Sequence, residues 1–306
     1  MIKLFHINNH NIDTSKFSNL LHDEIVSEFE QNFASYVGAK YACSANSASS
    51  LLYLSLITYK FKASVRIPST IPIVVPNVVI NSGHDIEFYD DVDWVGSCYH
   101  LHDNIYDSAQ QVSRNQYADL ARDDAIMIFS FYPTKPVGSC DGGMIVSNNK
   151  ATIEWFRMMT LNGVSFDEDS WDREQKAAGF KMHSTSIQAY IANENLKKLD
   201  AKNERLKEIS KIYNDHFGLS HTSRHLYRIN VKNNKAFLAE MRKQNIICGI
   251  HYEHCHDKAF YKWNGGILPL SEAESTTTVS LPFHEMLTDK DVETVIQATE
   301  KFRYVE

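Results

Sequence analysis

Apolar residues recur at helical spacing between residues 23 and 37, where "DEIVSEFEQNFASYV" sets Ile25, Val26, Phe29, Phe33 and Val37 on one side. Gly38 follows at the position where a helix stops, so the spacing predicts a helix over this stretch. In "KYACSANSASSLLYLSLITYKF" a short strand runs into small polar residues and a helix begins at the serines. Further on, "SVRIPST", "DIEFYD", "NIYDSAQ", "AIMIFSF" and "GMIVSN" read as short β-rich runs separated by turns and helical pieces. Several are apolar on both faces, the mark of strands covered on two sides in a mostly parallel α/β sheet. From Ser186 to Phe217 the chain is one long amphipathic stretch, readable as one or two helices, with Leu196, Leu199, Leu206 and Ile209 on the apolar side. The remainder, "HLYRINV", a helix around "KAFLAEMRKQ", "IICGIHY" and a final helix "TDKDVETVIQATEKF", forms the pattern of a small α+β domain. These patterns predict a large α/β domain over residues 1–200 and a small one over 201–306.

Composition narrows the function classes. The 306 residues carry 31 basic and 38 acidic groups, a net charge of −7, with no long block of either sign. A nucleic-acid surface normally needs a clustered basic face, so that class is disfavoured. No apolar run reaches the ~20 residues of a membrane helix, and the N-terminal segment lacks a secretory core, so a cytoplasmic protein is expected. Five scattered cysteines, odd in number and without a CxxC pair, fit reduced thiols.

In open α/β sheets ligands sit beyond the carboxyl ends of the strands. Three features collect there: the "NSAS" helix start, Asp107 at the end of "NIYD", and Lys135 just past "MIFSF". The uncovered N–H groups of a helix start can seat a phosphate, although a helix merely capped by Ser or Asn is the commoner case. An amine, a carboxylate and an anion seat match the carbonyl, ring nitrogen and phosphate of pyridoxal phosphate. By residue type alone the signal is modest, because Asp and Lys often decorate strand ends as solvated charges. "HYEHCH" is also readable as a metal site through His251, His254, Cys255 and His256, but closely spaced ligands rarely complete a tetrahedral set, so no metal is expected.

Order raises the signal. "FEQNFASYVGAKYACSANSAS", "YDSAQ", "FSFYPTK" with "DGG", "GFKMHSTSIQAYIANENLKKLD", "GIHYEHCH" and "LPLSEAES…VSLPFHEMLTDKDVETVI" follow one another. The whole resembles the DegT/StrS family of nucleotide-sugar aminotransferases, of the fold type I pyridoxal-phosphate class, from about residue 20 onward. The resemblance implies that Lys135 is the Schiff-base lysine and proton shuttle, that Asp107 pairs with the pyridine nitrogen, and that Gln110 lies against the ring. Ser130 and the N–H groups of Ala48 and Ser49 would bond the phosphate. Lys181 stands where the family has an asparagine reaching a neighbouring subunit's phosphate, which implies a homodimer. His251 and Tyr252 would lie at the substrate end. The implied reaction moves an amino group, from glutamate, onto a nucleotide-linked keto-deoxysugar destined for polysaccharide or glycoside.

The chain also departs from that family. Its path from "EFYDDVDWVGSCYHLHDN" to "IYDSAQ" is shorter than the family's by about one βα unit, which implies a smaller sheet. Ile71-Pro72 replaces an aromatic residue over the ring, and Gly179, Lys181 and His183 stand for the family's GxNxR. These departures keep open a second reading: a non-catalytic or regulatory relative with weakened cofactor binding.

Overall fold

The computed structural model describes residues 1–59, 64–102, 104–122, 124–165 and 173–305. Its contacts divide the chain into two compact units, each discontinuous: Met1–Asn8, Ala63–Ser97 and Lys198–Glu306 in the first, Asn9–Lys62 and Cys98–Lys197 in the second. The expected continuous split at residue 200 therefore differs from the observed one. Its C-terminal boundary is close, but Ala63–Ser97 groups with the C-terminal segment. The physical reason lies in bonds between those two segments of the first unit: Thr70 bridges His254, Cys255 N–H donates to the Ser69 carbonyl at 3.0 Å, and Asp90 Oδ1 accepts the Ser271 N–H at 2.8 Å.

The second unit holds α1 (Glu24–Val37), β1 (Tyr41–Ala45) and α2 (Ala48–Tyr59) in its first segment. Its second segment carries β4 (Tyr99–His102), β5 (Ile105–Asp107), α4 (Gln116–Leu120), β6 (Ile126–Ser130), β7 (Gly143–Ser147), α5 (Lys150–Thr160) and α6 (Ser186–Leu196). The first unit holds β2 (Val65–Pro68), α3 (Val74–Asn81), β3 (Ile86–Tyr89), α7 (Leu199–Phe217), β8 (Tyr227–Asn230), α8 (Asn234–Lys243), α9 (Pro269–Thr277), β9 (Thr278–Leu281) and α10 (Asp289–Phe302).

Among the described residues, the second unit's sheet runs in the order β1-β7-β6-β5-β4. β5 pairs parallel with β6, while β1–β7, β6–β7 and β4–β5 are antiparallel. The sheet is thus mixed, with β1, β5 and β6 running one way and β4 and β7 the other. In the first unit β2 and β3 pair parallel, and β8 and β9 antiparallel. "IICGIHY" makes only isolated bridges, Ile246 to Ile2 and Gly249 to Ser280, instead of a strand.

Local signals account for most element ends. Asp23 caps α1 by accepting the Ile25 N–H, and Gly38 ends it in the left-handed region at φ 77°. Phe29, Phe33 and Val37 are buried as the spacing predicts, but so is Glu30. The long stretch from Ser186 is two helices: a Thr185–Gln188 capping box starts α6, and the chain breaks at Lys197–Lys198.

An aromatic cluster ties α1 to the end of β6. Phe33 meets Phe129 edge-on at 4.9 Å and Phe131 at 5.2 Å, while Phe29 meets Phe131 at 5.1 Å. All four rings are essentially unexposed, and each buried ring contributes roughly 2–3 kcal/mol of apolar transfer.

Glu30 is compensated. Its Oε1 accepts the Ser44 N–H at 2.7 Å and the Ser44 hydroxyl at 2.8 Å, and its Oε2 accepts Arg157 Nη2 at 2.6 Å. Arg157 also donates to the Ala42 carbonyl, so α1, β1 and α5 meet on one ion pair. Arg157→Met strands that carboxylate in the interior and should lower the unfolding free energy by about 3 kcal/mol. The double variant Glu30→Gln/Arg157→Met should recover most of the loss in denaturant unfolding, and equal losses in single and double variants would contradict this account.

Candidate functional site

The site grows from the carboxyl ends of β1, β6 and β5. Ala45, the last residue of β1, is registered with Gly143 at the start of β7, and Gly143 is registered with Ser130 at the end of β6. Gly143 has no side chain where none would fit: a Cβ there would lie 2.4 Å from the Ala48 nitrogen and 2.6 Å from its Cα. The first turn of α2 therefore lies against β7, with Ser130 on the neighbouring strand. Ser47 Oγ accepts the Ser50 N–H at 3.2 Å. The N–H groups of Ala48 and Ser49, in the first helical turn, have no acceptor within the helix.

The same three-strand corner carries the lysine. Past Phe131 the chain turns, with Lys135 N–H donating to the Tyr132 carbonyl, and Ser139 N–H returns to the Phe131 carbonyl. This closed turn holds Lys135 half-buried above the end of β6. Burial pushes its ammonium down to about 8, against the opposing pull of the Asp107 carboxylate.

Asp107 ends β5 and is registered with Ile128 of β6. It is buried, 4% exposed, and burial raises its pKa. Three groups oppose the rise: the Ala109 N–H donating to Oδ1 at 2.9 Å, the Tyr99 hydroxyl donating to Oδ2 at 2.8 Å, and the charge of Lys135. Each carboxylate oxygen has two acceptor positions, so one remains on each for a further donor. Gln110 is buried three residues along. The sequence reading missed Tyr99. Its signal was the buried-exposed alternation of "YHLH" over β4, which places Tyr99 and Leu101 inside.

Lys181 is exposed and bridges antiparallel to Leu161. Two residues on, His183 bridges Ala45, and Asn46 N–H donates to the Met182 carbonyl at 2.7 Å. Gly179 packs backbone-to-backbone against Gly163, where a Cβ would come within 2.1 Å of its nitrogen. This segment thus borders the α2 start within the second unit.

His251 and Tyr252 belong to the first unit. The His251 Nδ1 and the Ser280 hydroxyl are hydrogen-bonded at 2.9 Å, and Arg228 donates to the His251 carbonyl at 3.1 Å. The neighbouring imidazoles are committed: His254 bonds Ser275 Oγ and Asp257, and His256 bonds Ser69 Oγ and Glu272. Among the described residues no group of three or more His, Cys, Asp or Glu side chains is placed to hold a metal ion. Ile71, which takes the place of the expected ring-covering aromatic, is fully buried in the first unit. All five cysteines are free thiols, and no helix of the described residues is long and apolar enough to cross a membrane.

A model of the DegT/DnrJ/EryC1/StrS aminotransferase family matches residues 8–98 and 105–300. Among curated proteins the chain is 28% identical to the uncharacterized protein MJ1066 of Methanocaldococcus jannaschii, covering 95% of this chain and 93% of that one. It is 25% identical to a UDP-4-amino-4,6-dideoxy-N-acetyl-beta-L-altrosamine transaminase of Campylobacter jejuni, covering 96% of each. Among solved structures, the aminotransferase TlmJ from Streptoalloteichus hindustanus shares the fold with a TM-score of 0.83 at 20% identity, covering 98% of both chains.

The depressed lysine yields a direct expectation for the protein alone. Labelling of Lys135 by an amine-reactive reagent, followed by peptide mass spectrometry, should rise with a midpoint near pH 8, about two units below an ordinary lysine. Because Asp107 raises that pKa, Asp107→Asn should move the midpoint lower still. A midpoint near 10 would contradict the burial described.

Proposed function

Because the chain belongs to the DegT/DnrJ/EryC1/StrS aminotransferase family, we propose that it is a pyridoxal-phosphate transaminase that carries an amino group from glutamate to the keto carbon of a nucleotide-linked deoxysugar. The observation that carries the reading is the pairing of a desolvated Lys135 with a buried Asp107 beside the open first turn of α2.

The donor set fits this cofactor. Asp107 is a buried carboxylate with acceptor capacity left, suited to a protonated ring nitrogen. The first-turn N–H groups of Ala48 and Ser49, with the Ser130 hydroxyl on the adjoining strand, suit a phosphate. When bound, pyridoxal phosphate supplies an electron-withdrawing ring that stabilises negative charge on the substrate carbon losing its proton.

The chain's own groups do the rest. Lys135 Nζ, available as a neutral amine near pH 8, takes the proton from the donor's Cα and later returns one to the acceptor. Asp107 keeps the ring nitrogen protonated, Gln110 borders the ring, and Ala48, Ser49 and Ser130 fix the phosphate. Lys181 serves the phosphate of a second copy's cofactor in a homodimer, as a point charge in place of an amide. His251 and Tyr252 serve the sugar nucleotide. The name of the Campylobacter jejuni relative supports a UDP-linked 4,6-dideoxy sugar as the substrate class, with the amino sugar as product, and the name of a Bacillus subtilis relative, a spore coat polysaccharide biosynthesis protein, supports a polysaccharide destination.

Pyridoxal phosphate added to the purified protein should give an absorption band near the visible edge that Lys135→Ala abolishes. Glutamate-dependent amination of a panel of 3-keto and 4-keto nucleotide sugars should follow, with Lys135→Ala slower by at least a factor on the order of 10³. No band in the wild-type protein would favour the non-catalytic relative instead. In sedimentation, a fully active monomer would contradict the role given to Lys181.

A further inference from the structure

β4 is short, pairs among the described residues only with β5, and ends in a register shift between His100 and His102. The family model that matches residues 8–98 and 105–300 leaves out residues 99–104, the stretch that holds this strand. Yet its first residue reaches the most buried charge of the site. Tyr99 is registered directly opposite Asp107, so the two side chains leave the same face, and the phenol donates to Oδ2 at 2.8 Å. Tyr99 is 7% exposed and Asp107 is 4% exposed, so water does not compete for this bond.

We propose that Tyr99 is a positioning residue for the cofactor's ring nitrogen: its hydroxyl fixes the Asp107 carboxylate from outside the family pattern, leaving the carboxylate's remaining acceptor positions for that nitrogen. The inference rests on the transaminase reading for the identity of the ring. A hydrogen bond to a charged acceptor in a dry environment is worth more than one between neutral groups, so it favours the ionised carboxylate over the protonated one. The groups facing Asp107 are Tyr99 and the Cys98 thiol from the β4 side, the Ala109 N–H from its own loop, and Lys135 from the turn after β6. Of these, Tyr99 and the Ala109 N–H hydrogen-bond the carboxylate, one per oxygen.

The sign follows. Removing the phenol destabilises the carboxylate, so Asp107 protonates at higher pH and grips the ring nitrogen less well. In Tyr99→Phe, cofactor affinity measured by equilibrium dialysis should fall about tenfold, and the acid limb of binding should move up by about one to two pH units. 3-Fluorotyrosine at position 99, a near-isosteric and stronger donor, should move the limb down. In an Asp107→Asn background the Tyr99→Phe change should lose most of its effect. Carboxyl-carbon NMR of the cofactor-free protein should show the same upward shift for Asp107 in Tyr99→Phe. That shift without cofactor binding by the wild type would sink the transaminase reading and leave the Tyr99–Asp107 coupling standing. An unmoved acid limb in both Tyr99 variants, or equal losses with and without Asp107, would overturn the inference.

Discussion

The first turn of α2 can lie against β7 only because residue 143 has no side chain. A carbon 2.4 Å from the Ala48 nitrogen is about 1 Å inside van der Waals contact, and backbone atoms cannot yield as a flexible side chain can. From that contact the rest of the corner follows. β7 brings Ser130 across one ladder step and Ala45 across the other, so a helix start and two strand ends share one small volume. The four phenylalanines then hold the end of β6 to α1, which fixes where the turn to Lys135 begins.

Burial works on the two charges in opposite directions. It raises Asp107 and lowers Lys135, so each is pressed toward its neutral form while the attraction between them resists. Burial thus acts on both charges of this site, unlike those of exposed ion pairs such as Lys150–Glu154, which water already satisfies. The two hydrogen bonds to Asp107, from a backbone N–H and from Tyr99, keep the carboxylate in place while it remains poorly solvated.

Much of this was written locally and could be read there. The α1 face, its Asp23 and Gly38 ends, and the buried runs of β5 and β6 are short-range patterns; Asp107 and Ser130 end those two strands, and Lys135 lies just past the second. What escaped the sequence reading was set by partners far along the chain. Glu30 reads as a polar position of α1, and its interior partners lie far along the chain, Ser44 14 residues and Arg157 127 residues later. Tyr99 lies in a stretch that looked like the scar of a shortened crossover, and its role depends on register with β5. The break between α6 and α7 has no glycine or proline to announce it; the two lysines at it, Lys197 and Lys198, both keep helical dihedrals. The unit boundaries were invisible for the same reason, since bonds from Ser69 to Cys255 and from Asp90 to Ser271 decide where residues 63–97 belong.

That segmental layout has a temporal side. The second unit has all its residues once Lys197 has been made, whereas the first unit closes on its own opening residues. Ile2 N–H bonds the Asn245 carbonyl, and Ile247 N–H bonds the Ile2 carbonyl. At about 5–20 residues per second of synthesis, those partners reach each other on the order of tens of seconds apart. During translation the half that carries the lysine and the carboxylate is therefore complete first, while the start of the chain waits for a strand-like partner not yet made.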